Sequence, residues 1–234
     1  MYKDIANIYD LIYSFKNYKK EIEALKTFIL ENKETDGMDL LDVACGTGKH
    51  LKYLKSDFRC TGIDKSKEML EIAKTNNEDV EFIHADMIDF DLGQKFDVIL
   101  CLFSSIGYVK TLENLGRTLQ NFSNHLKKGG VLIIEPWFTK SSYKEGTTHL
   151  LTHEDEDVKI ARMNLSKRKG NLSILEMHYL IGEKGKEIIH FTEEHVLGLF
   201  KITNILELME MVGFQARFLK EGLIEERGLF IAKK

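Results

Sequence analysis

The chain has 234 residues, with 33 Lys and Arg against 37 Asp and Glu and a net charge of −4. That length buries one α/β core with an insertion rather than two independent domains, and the charge balance argues against a broad phosphate-backbone binder, so nucleic acid is not expected as a partner. No stretch approaches the ~18 apolar residues of a membrane span, and Met1-Tyr2-Lys3-Asp4 does not read as an export signal, so a soluble, cytoplasmic chain without a membrane partner is expected.

Ile22, Leu25, Phe28 and Ile29 recur at helical spacing and predict a first helix. Leu40–Val43 then reads as a strand that runs into Ala44-Cys45-Gly46-Thr47-Gly48 and a helix opening near Lys49. Gly46 and Gly48 allow a tight turn and close backbone approach to a ligand. A dinucleotide fingerprint would need a third glycine at 51, where this chain has Leu51. Asp42 at the mouth of the loop repels a pyrophosphate and suits a cationic ligand. S-adenosylmethionine, with an α-amino group, a sulfonium and no phosphate, is such a ligand.

Cys60–Asp64 predicts a second strand ending in an acid placed to accept ribose hydroxyls, and Met69, Leu70 and Ala73 mark the next helix. Glu81–Met87 predicts a third strand ending in Asp86-Met87, and Phe96–Leu102 a buried fourth. Leu112, Leu115, Leu119, Phe122 and Leu126 mark one helical face that stops at Gly129-Gly130, before a fifth strand Val131–Glu135. Strands alternating with helices imply a parallel, doubly wound sheet. Beyond Trp137 the pattern changes to strands at Val158–Lys167, Asn171–Ile181 and Ile188–Phe200, joined by turns at Lys169-Gly170 and Glu183-Lys184-Gly185. A helix near Thr203–Val212 and strands Gln215–Leu219 and Gly228–Ala232 finish the chain. Ala44, Asp64, Asp86 and Leu102 should line one crevice at the strand ends.

The three cysteines, 45, 60 and 101, have no ligand spacing; neither a disulfide nor a metal is expected, and they read as buried fillers. A nucleophilic Cys45 would lack a partner base. Glu154–Asp157 reads as a solvated turn, and His125 as a surface residue favoured by a helix C-terminus.

Asp42–Gly48, Asp64 and Asp86-Met87, in that order, resemble the class I S-adenosylmethionine-dependent methyltransferases. The resemblance implies a Rossmann-like α/β fold: a doubly wound seven-stranded sheet with the last strand antiparallel, plus a small antiparallel β insert. Residues 1–138 and 201–234 would form the donor-binding domain, and 139–200 the insert that covers the acceptor. Together with Phe103-Ser104-Ser105-Ile106-Gly107-Tyr108, Glu135-Pro136-Trp137, His190-Phe191, His195 and Arg227-Gly228-Leu229-Phe230, the chain is similar to TDP-3-aminosugar N,N-dimethyltransferases. That similarity implies S-adenosylmethionine as cofactor, held by Tyr9, Tyr18, Ala44, Asp64, Asp86, Met87 and Leu102. Asp42, Gly46 and Gly48 join this group from the reading of the loop. Tyr2, Tyr108 and Arg227 would face a nucleotide-linked aminosugar, with Tyr2 and Tyr108 nearest the chemistry and Tyr108 orienting the amine or relaying its proton. Ser104, Ser105, Trp137 and Arg162 complete the expected acceptor set. Each also has a plain alternative: a frayed terminus for Tyr2, packing for Tyr108, a solvated turn charge for Arg227, helix capping for Ser104 and Ser105. Another small amine or hydroxyl acceptor, or a non-catalytic donor-binding protein, stays open, as does a homodimer.

Overall fold

The computed structural model describes residues 8–224 and 227–234. Its strands are β1 (Asp39–Val43), β2 (Arg59–Asp64), β3 (Glu81–His84), β4 (Phe96–Cys101), β5 (Leu126–Ile134), β6 (Thr148–Glu154), β7 (Val158–Lys169), β8 (Leu172–Glu183), β9 (Ile189–Gly198), β10 (Gln215–Leu219) and β11 (Leu229–Lys233). The helices are α1 (Tyr18–Asn32), α2 (Leu51–Leu54), α3 (Lys67–Asn76), α4 (Leu112–His125) and α5 (Ile202–Met211), with a 3₁₀ helix over Ser105–Val109. Seven strands form one sheet in the order β10-β11-β5-β4-β1-β2-β3, and β6 to β9 form a second, antiparallel sheet. β1, β2, β3, β4 and β5 pair in parallel, whereas β11 runs antiparallel to both β5 and β10. This is the doubly wound arrangement with a reversed last strand that the sequence implied.

Alternation along the central strands builds a core on each face. Ile99 and Cys101 of β4 face α4 and α5 through Leu115, Leu119, Phe122, Ile205 and Met209. Val98 and Leu100 face the opposite way, onto Leu25 and Ile29 of α1, Leu51 and Leu54 of α2, and Leu70 and Ala73 of α3. Side-chain caps fix the helix starts: Ser66 Oγ accepts from the Met69 amide and Thr111 Oγ1 from the Asn114 amide. A third apolar cluster joins Ile8 and Ile12 of the N-terminal segment to Ile160, Met177, Tyr179 and Ile181 of the second sheet. No helix among the described residues is long and apolar enough to cross a membrane.

Four expectations need correction. The helix after the glycine loop is a single turn, Leu51–Leu54, rather than an element opening at Lys49. α4 ends at His125, and β5 begins at Leu126 and carries Gly129-Gly130 inside it, because the Phe96–Leu126 pairing extends the ladder past an irregularity. Gly129, at φ 79°, absorbs that irregularity in a left-handed conformation. β6 was not anticipated; it forms through a full register against β7, from Thr148↔Leu165 to Glu154↔Lys159. His125 is buried rather than on the surface: its ring packs on Phe90, Nε2 accepts from the Leu92 amide, and Nδ1 meets the Asn121 carbonyl. Two backbone groups thus hold the ring inside the fold.

Candidate functional site

The carboxyl ends of β1, β2 and β4, the segment after β3, the N-terminal residues and the inner face of the second sheet enclose a cavity of about 1210 Å³. Tyr9, Ala44, Gly46, Asp64, Asp86, Met87, Ser104, Ser105, Tyr108, Trp137, Arg162 and Arg227 all line it. A smaller recess of about 60 Å³ adjoins it and is lined by Tyr18, Asp42 and Leu102, sharing Tyr9, Ala44, Gly46 and Ser105 with the larger space. Gly48 lines neither; a Cβ there would sit 2.9 Å from Asn77 Nδ2 and 3.2 Å from Phe82, so this glycine serves close packing. Tyr2 lies outside the described residues.

On the β1–β2 side, the backbone and buried acids shape the space. Ala44 and Gly46 hold positive φ of 58° and 55°, and a Cβ on Gly46 would meet nothing within 4 Å, so its backbone borders open space. Asp64 Oδ2 accepts from the Gly46 amide at 2.8 Å and Oδ1 from the Ser66 amide at 2.8 Å, which aims the carboxylate across the crevice. Burial raises the Asp64 carboxyl, against these backbone donors, which lower it. Asp42 is 2% exposed, and its Oδ2 has no hydrogen-bond partner among the described residues. Burial, reinforced by the Asp64 charge, pushes Asp42 up to about 8. Asp86 behaves differently: burial raises it, but an ion pair with Lys65 at 2.6 Å and the Ile88 amide bring it below the usual range.

The N-terminal segment closes this side. Asp10 accepts from Thr47 Oγ1 at 2.7 Å and pairs with Lys49 at 2.9 Å, while Lys16 pairs with Glu21 and lies 4.1 Å over the Phe103 ring. Burial drives the Tyr9 phenol well above its ordinary value. The Cys45 thiol is likewise held up by burial and the nearby Asp42 and Asp64, which suits packing and not nucleophilic chemistry.

The loop after β4 is strained in a defined way. Phe103 and Ser104 adopt successive left-handed conformations, φ 51° and 65°, unusual for residues with a Cβ. Three bonds hold them: the Phe103 amide donates to Glu135 Oε2 at 2.7 Å, Ser104 Oγ donates to the Pro136 carbonyl at 2.7 Å, and Arg227 donates to Ser104 Oγ at 2.7 Å. Ser104 thus precedes the 3₁₀ helix without a side-chain capping bond; its hydroxyl serves as an anchor instead. The Arg227 guanidinium lies 4.7 Å from the Trp137 ring, 5.3 Å from Phe138 and 5.9 Å from Phe103. The Ser104 bond uses one of its five N–H donors. Burial lowers its pKa, and Glu135 opposes that shift.

Strand alternation supplies the roof. The register places Leu151, Arg162 and Tyr179 side by side, and likewise His149, Asn164 and Met177, so their side chains share the inner face with Glu193 and His195. Arg162 donates to the Tyr13 hydroxyl at 2.8 Å. Tyr108, 45% exposed toward the cavity, has its hydroxyl 2.7 Å from His195 Nδ1. His195 entered the sequence reading only as part of a resemblance, and Glu193 not at all. Period-two alternation could have placed them on one face, but only the folded insert brings that face over the β4 loop.

The donor set fits S-adenosylmethionine and not a dinucleotide. The crevice combines the buried Asp42, one oxygen of which has no partner among the described residues, and the partly buried Asp64 with an open glycine backbone, a surface that favours a cation over a pyrophosphate. Comparisons with known proteins agree. A methyltransferase domain family model matches residues 40–130. The dTDP-3-amino-3,4,6-trideoxy-alpha-D-glucopyranose N,N-dimethyltransferase of Streptomyces venezuelae is 34% identical over 97% of both chains. The crystal structure of Streptomyces venezuelae DesVI superposes with a TM-score of 0.92 at 33% identity, covering 97% of each chain. The SAM-bound CalS10 of Micromonospora echinaspora, an amino pentose methyltransferase of calicheamicin biosynthesis, gives a TM-score of 0.87 at 29% identity, covering 97% of this chain and 96% of the other.

Proposed function

Because the chain belongs to the S-adenosylmethionine-dependent methyltransferase family that includes nucleotide-aminosugar N,N-dimethyltransferases, we propose that it methylates the amino group of a nucleotide-linked aminosugar. The observation that carries this reading is the Arg227 site: a half-buried guanidinium stacked among three aromatic rings, on the same cavity as the acidic crevice. A guanidinium on the cavity wall with one N–H given to Ser104 among the described residues suits a diphosphate.

When bound, the donor supplies an electrophilic methyl group. Asp64 would hold the ribose end of the donor, Asp42, raised to about 8 in the free protein, would give up its proton to face the donor's positive charge, and Tyr9, Tyr18, Ala44, Gly46, Asp86, Met87 and Leu102 would complete the donor walls. Gly48 supports the loop from behind. Arg227 and Trp137 hold the diphosphate end of the acceptor, Arg162 stands in reserve on the roof, and Ser104 and Ser105 form the floor under the reacting nitrogen. Tyr108 faces the amine, and Tyr2 belongs to the same expected set.

Rate comes mainly from alignment. Held in line in a water-poor cavity, two reactants gain about 7–11 kcal/mol over their encounter in solution. A turnover screen with isotopically labelled donor against dTDP-aminosugars and simple amines tests the reading, with mass spectrometry counting one or two transferred methyl groups. Turnover of simple amines with none of any nucleotide sugar would remove it. The insert would be the acceptor-covering unit, residues 139–200, set into the donor-binding domain.

A further inference from the structure

Tyr108 does not stand alone in the cavity. Its hydroxyl lies 2.7 Å from His195 Nδ1, and the other ring nitrogen of His195 lies 3.4 Å from Glu193 Oε2. The rings of Tyr108 and His195 meet edge-on at 6.0 Å, and His195 and Glu193 sit two residues apart on β9, pointing the same way. A phenol, an imidazole and a carboxylate are thus joined in series, running from the cavity into the insert. Among the described residues, the titratable groups facing this series are Tyr9 and Tyr13 from the N-terminal segment, Asp64 across the cavity, Arg162 on β7 and Tyr179 on β8.

From this geometry, and resting on the aminosugar reading above, we infer that His195, oriented by Glu193, is a positioning residue that fixes the Tyr108 hydroxyl and takes up the proton released at each methyl transfer. The substrate nitrogen's lone pair forms the new N–C bond while the methyl carbon's bond to sulfur breaks and leaves its electron pair on sulfur. The resulting ammonium gives a proton to Tyr108 Oη as the phenol's own proton passes to His195 Nδ1. Glu193, hydrogen-bonded at Nε2, stabilises the imidazolium until it loses the proton to water.

The surroundings suit this division of labour. Burial raises the Tyr108 phenol, so it hands protons on without becoming a phenolate. The His195 bond, helped by Tyr179 and Arg162 against the cost of burial, holds Glu193 below the ordinary carboxylate range, so it stays charged beside the ring. A secondary amine produced by a first transfer needs such an outlet, because a protonated nitrogen has no lone pair for a second.

Two measurements test the inference, and the first needs no substrate. Nitrogen-15 NMR of the full chain, with His195 assigned by the His195→Asn variant, reports which ring nitrogen carries the proton. The expected form has Nε2 protonated and Nδ1 accepting; a dominant Nδ1–H form, in which the ring donates to Tyr108, overturns the relay. The second is single-turnover methylation of an aminosugar accepted in the screen, comparing Tyr108→Phe, His195→Asn and the double variant between pH 6 and 9. Asn keeps an acceptor near the Nδ1 position and loses the base. Each single variant should lose up to about tenfold at pH 7 with acceptor KM unchanged, the loss should shrink toward pH 9, and the double should be no slower than the worse single. Losses that multiply, or that persist unchanged at high pH, show a structural role independent of Tyr108 and refute the proposal. Should the wild-type chain turn over no nucleotide sugar, the aminosugar reading fails, and the NMR result still decides the direction of the Tyr108–His195 bond.

Discussion

Asp42→Asn should make the ligand-free protein more stable and a poorer binder of the methyl donor. Asp42 is 2% exposed, one of its oxygens has no partner among the described residues, and its carboxyl is raised from 3.8 to about 8. A carboxyl raised on folding reverses the usual acid behaviour: the folded state holds the proton more tightly than the unfolded state. Its favourable share of stability is therefore complete below about pH 4 and is lost as pH climbs toward 8. Each pH unit within that window costs about 1.4 kcal/mol, so moving from pH 5 to pH 7 should cost the wild type roughly 2–3 kcal/mol at this position. Asparagine, of equal size and without charge, escapes the cost. Urea denaturation at pH 5, 6, 7 and 8 without donor should show the variant's advantage growing by that amount. A difference between the two proteins that stays flat with pH would refute the reasoning. A cationic donor favours the carboxylate, so calorimetry in buffers of different ionisation heat should show close to one proton released per donor bound by wild type at pH 7, and none from this site in the variant.

Asp64→Ala should weaken S-adenosylmethionine at least tenfold, since charge-assisted hydrogen bonds to two ribose hydroxyls are worth about 1.5–3 kcal/mol each; unchanged affinity in a folded variant, by calorimetry, removes the ribose assignment. NAD should give no heat of binding in the same instrument, because Leu51 stands where a dinucleotide turn needs its third glycine. Arg227→Ala should raise the acceptor KM while leaving donor affinity almost untouched, and Arg227→Lys should recover only part of the loss, since it keeps the charge but not the planar fork. Equal losses toward both ligands would assign Arg227 to holding Ser104 alone.

The β1–β2 side of the candidate site was legible because its signals are local. An apolar strand followed by Asp42, Gly46 and Gly48, then acids closing β2 and following β3, fix backbone and charge within a few residues of each other. The side under the insert depends on contacts far apart in sequence. Arg227 reaches Ser104 across the molecule, and Tyr108 meets His195 only because the insert folds over the β4 loop. β6 escaped notice because Thr148–Glu154 lacks a clean apolar alternation; its place comes from pairing with β7. His125 read as exposed because nothing in a helical periodicity shows that the Leu92 amide would come to its ring. Gly48 read as a ligand contact where φ 73° and the crowding of Asn77 make it a packing device.

The roof of the cavity imposes a rule of parity on the insert. Arg162, Asn164, Tyr179, Glu193 and His195 reach inward only because each lies an even number of residues from its inward neighbours, while Met163, His178, Leu180 and Thr192 take the odd places facing out. The two-residue bend at Gly170-Asn171 pins Lys169 opposite Leu172 and so sets the count for β7 and β8. One residue gained or lost inside β9 ahead of Glu193 would turn both that acid and His195 to the outside in a single step, with no substitution at either. Two gained or lost would keep them inward and merely slide them along the cavity. In this segment, therefore, paired insertions and deletions slide these side chains along the cavity, while single ones dismantle its inward-facing wall.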